Sequence, residues 1–295
     1  MSIQSLLESW FNDEDALQII DSQAVIYLVL SIALLAVGKK INDLLSPYDL
    51  NEQLTQADNK AIALSFAGYL IAIIIIICSI LNTSATTGLW ADIADTSLWC
   101  VIGILLLQAS RFINNKWLLH KFDIWKELIQ DKNVGAGAIQ CGAYIGSACM
   151  IKAALYGEDS ESFVISLISA IVYFLIGQVA FVLFSKLYQR VSRFDLHEEI
   201  ENDNVAAGVG FGMSLTATGI LLSGYLMKYD SFIGLALWFV MGAFLLIVCR
   251  YLVDKILLPG SELDEEISRD RNWGAALIEG SSAIGLALIL TSLFG

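Results

Sequence analysis

Charge is scarce in this chain. Asp, Glu, Lys and Arg make up 16% of its 295 residues, against 57% hydrophobic, where soluble domains carry about 25% charged residues. Proline is nearly missing, at two residues, which is too few for a loop-rich soluble fold. Basic residues are outnumbered 17 to 30, for a net charge of -13. That excludes a nucleic-acid partner, because a phosphate-binding surface needs clustered Lys and Arg. The five cysteines contain no C-x-x-C pair and fall mostly in apolar runs. They read as small core residues, not a disulfide framework or metal site. The two histidines, His120 and His197, sit in charged loops and form no H-E-x-x-H; Walker A and nucleophile-elbow patterns are missing too. No catalytic residue, cofactor or metal is therefore expected, and the chain reads as a non-enzyme.

What the chain does have is length in its apolar runs. A spanning helix needs about 20 mostly apolar residues, because the hydrocarbon layer is about 30 Å thick. Eight stretches qualify, near 24–45, 60–82, 97–119, 133–155, 162–188, 204–227, 231–256 and 273–294. The β-branched run Ile73–Ile77 belongs to a helix, since an unpaired strand cannot satisfy its backbone in lipid. The chain is thus expected to be an all-α integral membrane protein of eight transmembrane helices, embedded in a lipid bilayer.

Residues 1–23 precede the first span as an extracytoplasmic segment. They hold no Lys or Arg in the first twenty positions, so no cleavable signal peptide is evident. Leu6, Leu7, Trp10 and Phe11 fit either one face of a short surface helix or a frayed tail.

Orientation follows from the basic residues. The loops after spans 1, 3, 5 and 7, with the adjoining helix ends, hold 15 of the 17; only Lys152 and Lys228 lie on the other side. Lys and Arg are retained in the cytoplasm during insertion. Those four loops should face the cytoplasm, and both termini the outside. The outer side holds eleven acidic residues, among them Glu8, Asp92 and Asp230, a distribution that the same retention accounts for. Trp90, Trp99, Trp117, Trp125 and Trp273 suit interfacial anchoring.

The four loops also share a pattern. They read SPYDLNEQLTQADNKAIALSFAG, HKFDIWKELIQDKNVGAGAIQCG, SRFDLHEEIENDNVAAGVGFG and GSELDEEISRDRNWGAALIEG. Each is an acidic amphipathic segment, then an asparagine (Asn59, Asn133, Asn204, Asn272), then a helix of small residues. The asparagines lie 74, 71 and 68 residues apart, and such a period signals duplication. All four hairpins enter and leave on one side, so the repeats are expected to be parallel. Each asparagine suits an N-cap; a ligand-binding ring of four is the alternative. The pairs Gly208/Gly212 and Gly142/Gly146, with the looser Ala63/Ala67 and Ser281/Gly285, would let spans 2, 4, 6 and 8 pack closely as inner helices. The run of glycines at 208–212 lies inside a span and is no nucleotide loop.

These segments, above all FDLHEEIENDNVAAGVGFG, resemble the signature of the YjfL-like family of bacterial inner-membrane proteins, domain of unknown function 350. Residues 24–156 resemble one four-span unit and 162–295 a second. The motif departs at Asn59-Lys60-Ala61-Ile62 and Asn133-Val134-Gly135-Ala136, which marks the first half as the more diverged. The resemblance implies the bacterial cytoplasmic membrane, and no activity or ligand residues.

The most suggestive residue is Glu279. Glu279 lies seven residues after Asn272, about 10 Å along a helix, where a charge is costly and usually paired or functional. Arg250 lies twelve before Glu262, as Arg111 lies twelve before Asp123, and Gln140 stands where Glu279 does in the other half. Antiparallel neighbours would then pair Arg250 with Glu279 and Arg111 with Gln140. The first pair reads either as a structural ion pair or as a proton or cation site lining a cavity.

Two functions follow. One is a non-catalytic scaffold or sensor in an envelope-stress response, its loops (DLNEQL, DIWKEL, DLHEEI, ELDEEI) docking a soluble cytoplasmic partner. The other is a channel or transporter for a small ion or solute, with a cavity near Glu279. A homo-oligomer is compatible with either.

Overall fold

The computed structural model describes residues 22–82, 88–119, 123–156, 162–229 and 231–294. These are helical, without a strand. The N-terminal segment that fits a surface helix or a frayed tail, His120 and most of the acidic residues assigned to the outer side, Glu8 and Asp230 among them, lie outside the described residues. The elements run α1 (Ser22–Leu45), α2 (Leu50–Thr55), α3 (Lys60–Leu81), α4 (Leu89–Trp117), α5 (Ile124–Ile129), α6 (Val134–Leu155), α7 (Phe163–Val191), α8 (Leu196–Glu201), α9 (Val205–Leu226), α10 (Phe232–Leu252), α11 (Leu263–Ser268) and α12 (Trp273–Phe294). α10 continues into a π-helical turn, Val253–Leu257.

Eight of these, all but the six-residue helices α2, α5, α8 and α11, are long and apolar enough to cross a membrane. The spans fall where the apolar runs place them, with one notable difference. α4 begins at Leu89, not near 97, and is 29 residues long. At about 1.5 Å per residue it is about 43 Å, longer than the hydrocarbon layer. Its first turns carry Trp90, Asp92 and Asp95, which continue the helix beyond the apolar run.

α3, α6, α9 and α12 pack side by side in a row, and these are the most extensive helix contacts among the described residues. α4 bridges α3 and α6, α7 bridges α6 and α9, and α10 bridges α9 and α12. The row depends on missing side chains. A Cβ on Gly142 would fall on the carbonyl of Gly212, and one on Gly208 would fall on the backbone of Gly135. Backbones this close are tolerated only where the residue is small, and in lipid such contacts supply the association that hydrophobicity cannot.

A row has two ends, and this corrects the expectation of four alike inner helices. In the apolar stretches of α6 and α9, 78% of residues are buried, against 28% in α12. Ala63 and Ala67 on α3, and Ser281 on α12, face outward.

Candidate functional site

The site is built where α7, α10, α11 and α12 meet. Arg250, near the end of α10, donates through Nη1 to Glu279 Oε1 of α12 and, at 2.9 Å, to the Tyr188 hydroxyl of α7. Its Nη2 donates to Asp264 Oδ1 of α11 at 2.6 Å. The guanidinium also lies over the Tyr188 ring, 5.1 Å from its centre, a favourable place for a cation. Tyr188 completes the cluster by donating to Glu279 Oε1 at 3.4 Å. Glu279 is 3% exposed. The π-helical turn just after Arg250 brings Asp254 to the N-terminus of α11, where its Oδ1 accepts from the Leu263 N–H at 2.8 Å.

Two carboxylates thus share one guanidinium, which leaves the cluster with a formal charge of -1. The other Glu279 oxygen, Oε2, has no hydrogen-bond partner among the described residues. An unpartnered buried carboxylate oxygen is costly. Beside it lies a small cavity of about 20 Å³ (space for the centre of a water-sized sphere), lined by Glu279, Arg250, Tyr188 and Ser214 among apolar side chains. That is room for about one water molecule.

The first half uses the same positions with different residues. Arg111 is 8% exposed and donates to Asn42 Oδ1 at 3.1 Å, Ser46 Oγ at 3.0 Å and the Leu45 carbonyl at 3.0 Å. It stacks over Trp125, 5.3 Å from the ring centre. Asn42 is seven residues before Asp49, as Tyr188 is seven before Asp195; Trp125 is two after Asp123, as Asp264 is two after Glu262. Arg111 makes no ion pair among the described residues.

The structure brings Arg250 and Glu279 together and does not do so for Arg111 and Gln140. Gln140 accepts from Ser65 Oγ at 2.6 Å and donates to Asn115 Oδ1 at 3.1 Å. With both ends of its amide satisfied, it has no need of the guanidinium. Ser65 is six residues after Asn59, and the residue six after Asn204 is Gly210. A Cβ on Gly210 would sit 3.2 Å from Glu279 Oε2. The hydroxyl that satisfies Gln140 in one half is therefore missing opposite Glu279 in the other.

The four asparagines do two things each. The side-chain oxygen caps a helix: Asn59 accepts from Ala61 and Ile62, Asn133 from Ala136, Asn204 from Ala207, and Asn272 from Gly274 and Ala275. The amide donates backwards to Gln53, Glu127, Glu199 and Glu266 respectively. Three amides also cross to the next short helix: Asn59 to the Leu128 carbonyl, Asn133 to that of Ile200, and Asn204 to that of Ile267. They are spread along the row as connectors and do not converge on a common point. The residue before each, Asp58, Lys132, Asp203 and Arg271, has φ between 47° and 57°. Left-handed backbone at four non-glycine residues is uncommon; aspartate tolerates it better than most, which suits Asp58 and Asp203, whereas Lys132 and Arg271 give no hint of it.

Glu127 is the one buried acid in this layer. Burial pushes its carboxyl above the usual range, and the Asn133 amide partly counters that. Asp270 is held below it by hydrogen bonding to Arg269.

The comparisons with known proteins agree with this duplicated architecture. The model of the family described as Domain of Unknown Function (DUF350) matches residues 13–155 and again 162–294. The chain belongs to that family. It is similar to a UPF0719 transmembrane protein of Aquifex aeolicus, 24% identical over 244 residues, covering 80% of this chain and 87% of the relative. It is also similar to the UPF0719 transmembrane protein YshE of Bacillus subtilis, 22% identical over 126 residues, covering 43% of this chain and 92% of that one. No solved structure matches. With its eight apolar helices and transmembrane relatives, this DUF350 chain is a multi-pass membrane protein in a lipid bilayer.

Proposed function

We propose that this protein is a non-catalytic sensor of the bacterial cytoplasmic membrane, acting in a response to envelope stress. In this reading residues 24–156 and 162–295 are two four-span units, each of two parallel hairpins. The short helices face the cytoplasm, both termini lie outside, and α2, α5, α8 and α11 offer a docking surface to a soluble partner. The positive charges support the orientation.

One observation carries the sensor reading: Arg250 is held at once by Glu279 inside the membrane and by Asp264 on α11 at its surface. Protonating Glu279 leaves the guanidinium to Asp264 and Tyr188 alone and takes the cluster from -1 to neutral. The position of α11 then depends on the charge of a residue buried in α12.

The test is hydrogen exchange on the protein in nanodiscs. Glu279→Gln should change exchange at residues 263–268 and leave α2 and α5 as they were. Unchanged exchange at 263–268 sinks the sensor reading. Copurification should recover a soluble protein that a disrupted α11 releases.

A second reading, passage of a proton or small cation, is favoured by the unpartnered Glu279 Oε2 beside its cavity. Its weakness is the row itself, where the glycine backbones of α6 and α9 touch. Liposomes decide it: a flux abolished by Glu279→Gln would support transport, and an unaltered one would remove its best residue.

A further inference from the structure

The two ends of the helix row are complementary, and both are open. The interface between α6 and α9 shows what each end lacks. There Gly135, Gly142 and Gly146 of α6 lie against the backbone of Asn204, Gly212 and Leu215. Asn133 crosses the same interface to the Ile200 carbonyl. Counting from the capping asparagines, the α6 positions recur on α12 as Gly274, Ser281 and Gly285, with Asn272 in place of Asn133. The α9 positions Gly208 and Gly212 recur on α3 as Ala63 and Ala67. Ile200, five residues after Asp195, recurs as Leu54, five after Asp49.

Every one of these counterparts is unoccupied. A Cβ on Gly285 would meet nothing within 4 Å, and one on Gly274 would meet only its own chain's Asn272 side chain. Ser281, Ala63 and Ala67 are exposed. Asn59, Asn133 and Asn204 are buried, yet Asn272 is exposed, and its amide has only Glu266 to donate to. No hydrogen bond reaches the Leu54 carbonyl among the described residues. One end thus offers a spare amide donor above a face of small residues. The other offers a spare carbonyl above a face of small residues, in the register that the internal interface already uses.

We infer that the occupant of each end is a second copy of this chain, α12 of one protomer packing on α3 of the next, with Asn272 donating to the neighbour's Leu54 carbonyl. Such a contact is heterologous. It joins head to tail and closes when the rotation between copies completes a circle. All copies share one orientation in the bilayer, so the axis runs along the membrane normal. Lipid would cover the apolar faces equally well, but it holds no backbone carbonyl fixed at this register. The chain-to-chain contact is looser than the internal one. Ala63, Ala67 and Ser281 carry the β-carbons that Gly208, Gly212 and Gly142 lack, so the backbones cannot approach as closely. Copies should therefore part in harsh detergent before the fold is lost.

The test uses the full chain in membranes. Ala67 and Ser281 are the counterparts of the touching pair Gly212 and Gly142, so A67C/S281C, with the five native cysteines replaced by alanine, should cross-link between chains on oxidation. Neither single variant should. A67C linking to itself would mean a two-fold face-to-face dimer and would overturn the proposal, as would a double variant that stays monomeric. A second measurement keeps the native cysteines. In nanodiscs, the unmodified chain should have the mass of two or more copies, and Gly285→Trp, placed in open space, should give one copy with an unchanged melting temperature. Wild-type protein with the mass of one copy would overturn the inference as well.

Discussion

Asn133 donates to the carbonyl of Ile200, a residue of the following hairpin, while its oxygen caps its own helix α6. One side chain therefore fixes both where a helix starts and where the next unit sits. The same holds for Asn59 with Leu128 and for Asn204 with Ile267, but not for the exposed Asn272.

That difference is measurable. Losing a cap costs about 0.5–2 kcal/mol, and each further buried hydrogen bond adds about 1 kcal/mol. Asn133→Ala should lower stability by about 2–4 kcal/mol on those figures, and Asn272→Ala in detergent-dispersed monomer by clearly less. Thermal unfolding in detergent compares the two; equal losses would mean that the crossing bond contributes nothing.

Gly210 explains the orphaned oxygen of Glu279, so restoring the hydroxyl should repair it. Gly210→Ser places Oγ where Ser65 stands toward Gln140. It should raise stability by about 1 kcal/mol, the usual net value of one hydrogen bond. Arg250→Ala should do the opposite and cost about 3–5 kcal/mol, because it leaves a buried carboxylate unpaired. A Gly210→Ser protein less stable than wild type would show that the space is needed for something else, a water first of all.

Glu127 makes stability depend on pH. Burial raises its folded pKa above the ordinary carboxylate value, so the folded state binds the proton more tightly than the unfolded one. Stability is then greatest below the unfolded value and is lost as pH rises through the folded one. Glu127→Gln keeps an acceptor for the Asn133 amide, as Gln53 does for Asn59. The variant should be at least as stable as wild type at neutral pH, with the difference reversing in acid. Melting curves from pH 4 to 8 would show it; parallel curves would refute the assignment.

The left-handed residues offer a fourth probe. At Arg271, φ is 51°, a conformation that costs a non-glycine residue about 1–2 kcal/mol. Arg271→Gly should leave stability unchanged or raise it by up to about 1–2 kcal/mol, and Arg271→Ile, whose branched β-carbon fits this region worst, should lower it. Urea titration of the two variants separates them.

Much of this was legible in the sequence. Hydropathy located the eight long apolar helices, and each of the four asparagines caps a helix in the structure. The Arg250–Glu279 contact followed from the register of those asparagines. Arg111 and Gln140 occupy the corresponding positions without meeting, because their neighbours satisfy each separately. Tyr188 and Asp264 escaped notice for a chemical reason. Their counterparts are Asn42 and Trp125, so the positions repeat while the residue types do not. Aligning the halves on the acids Asp49, Asp123, Asp195 and Glu262 would have exposed both. The openness of the row could not be read this way, since a helix of small residues looks the same at the end of a row as in its middle.

The exchange of Gln140 for Glu279 acquires a further meaning once the two units share one polypeptide. A protein half as long, assembling from identical pieces, would have to carry the same residue at every such position. Fusion removes that constraint. It fixes one neutral site and one acidic site in every chain, at one-to-one stoichiometry, and no change in expression level can disturb the ratio.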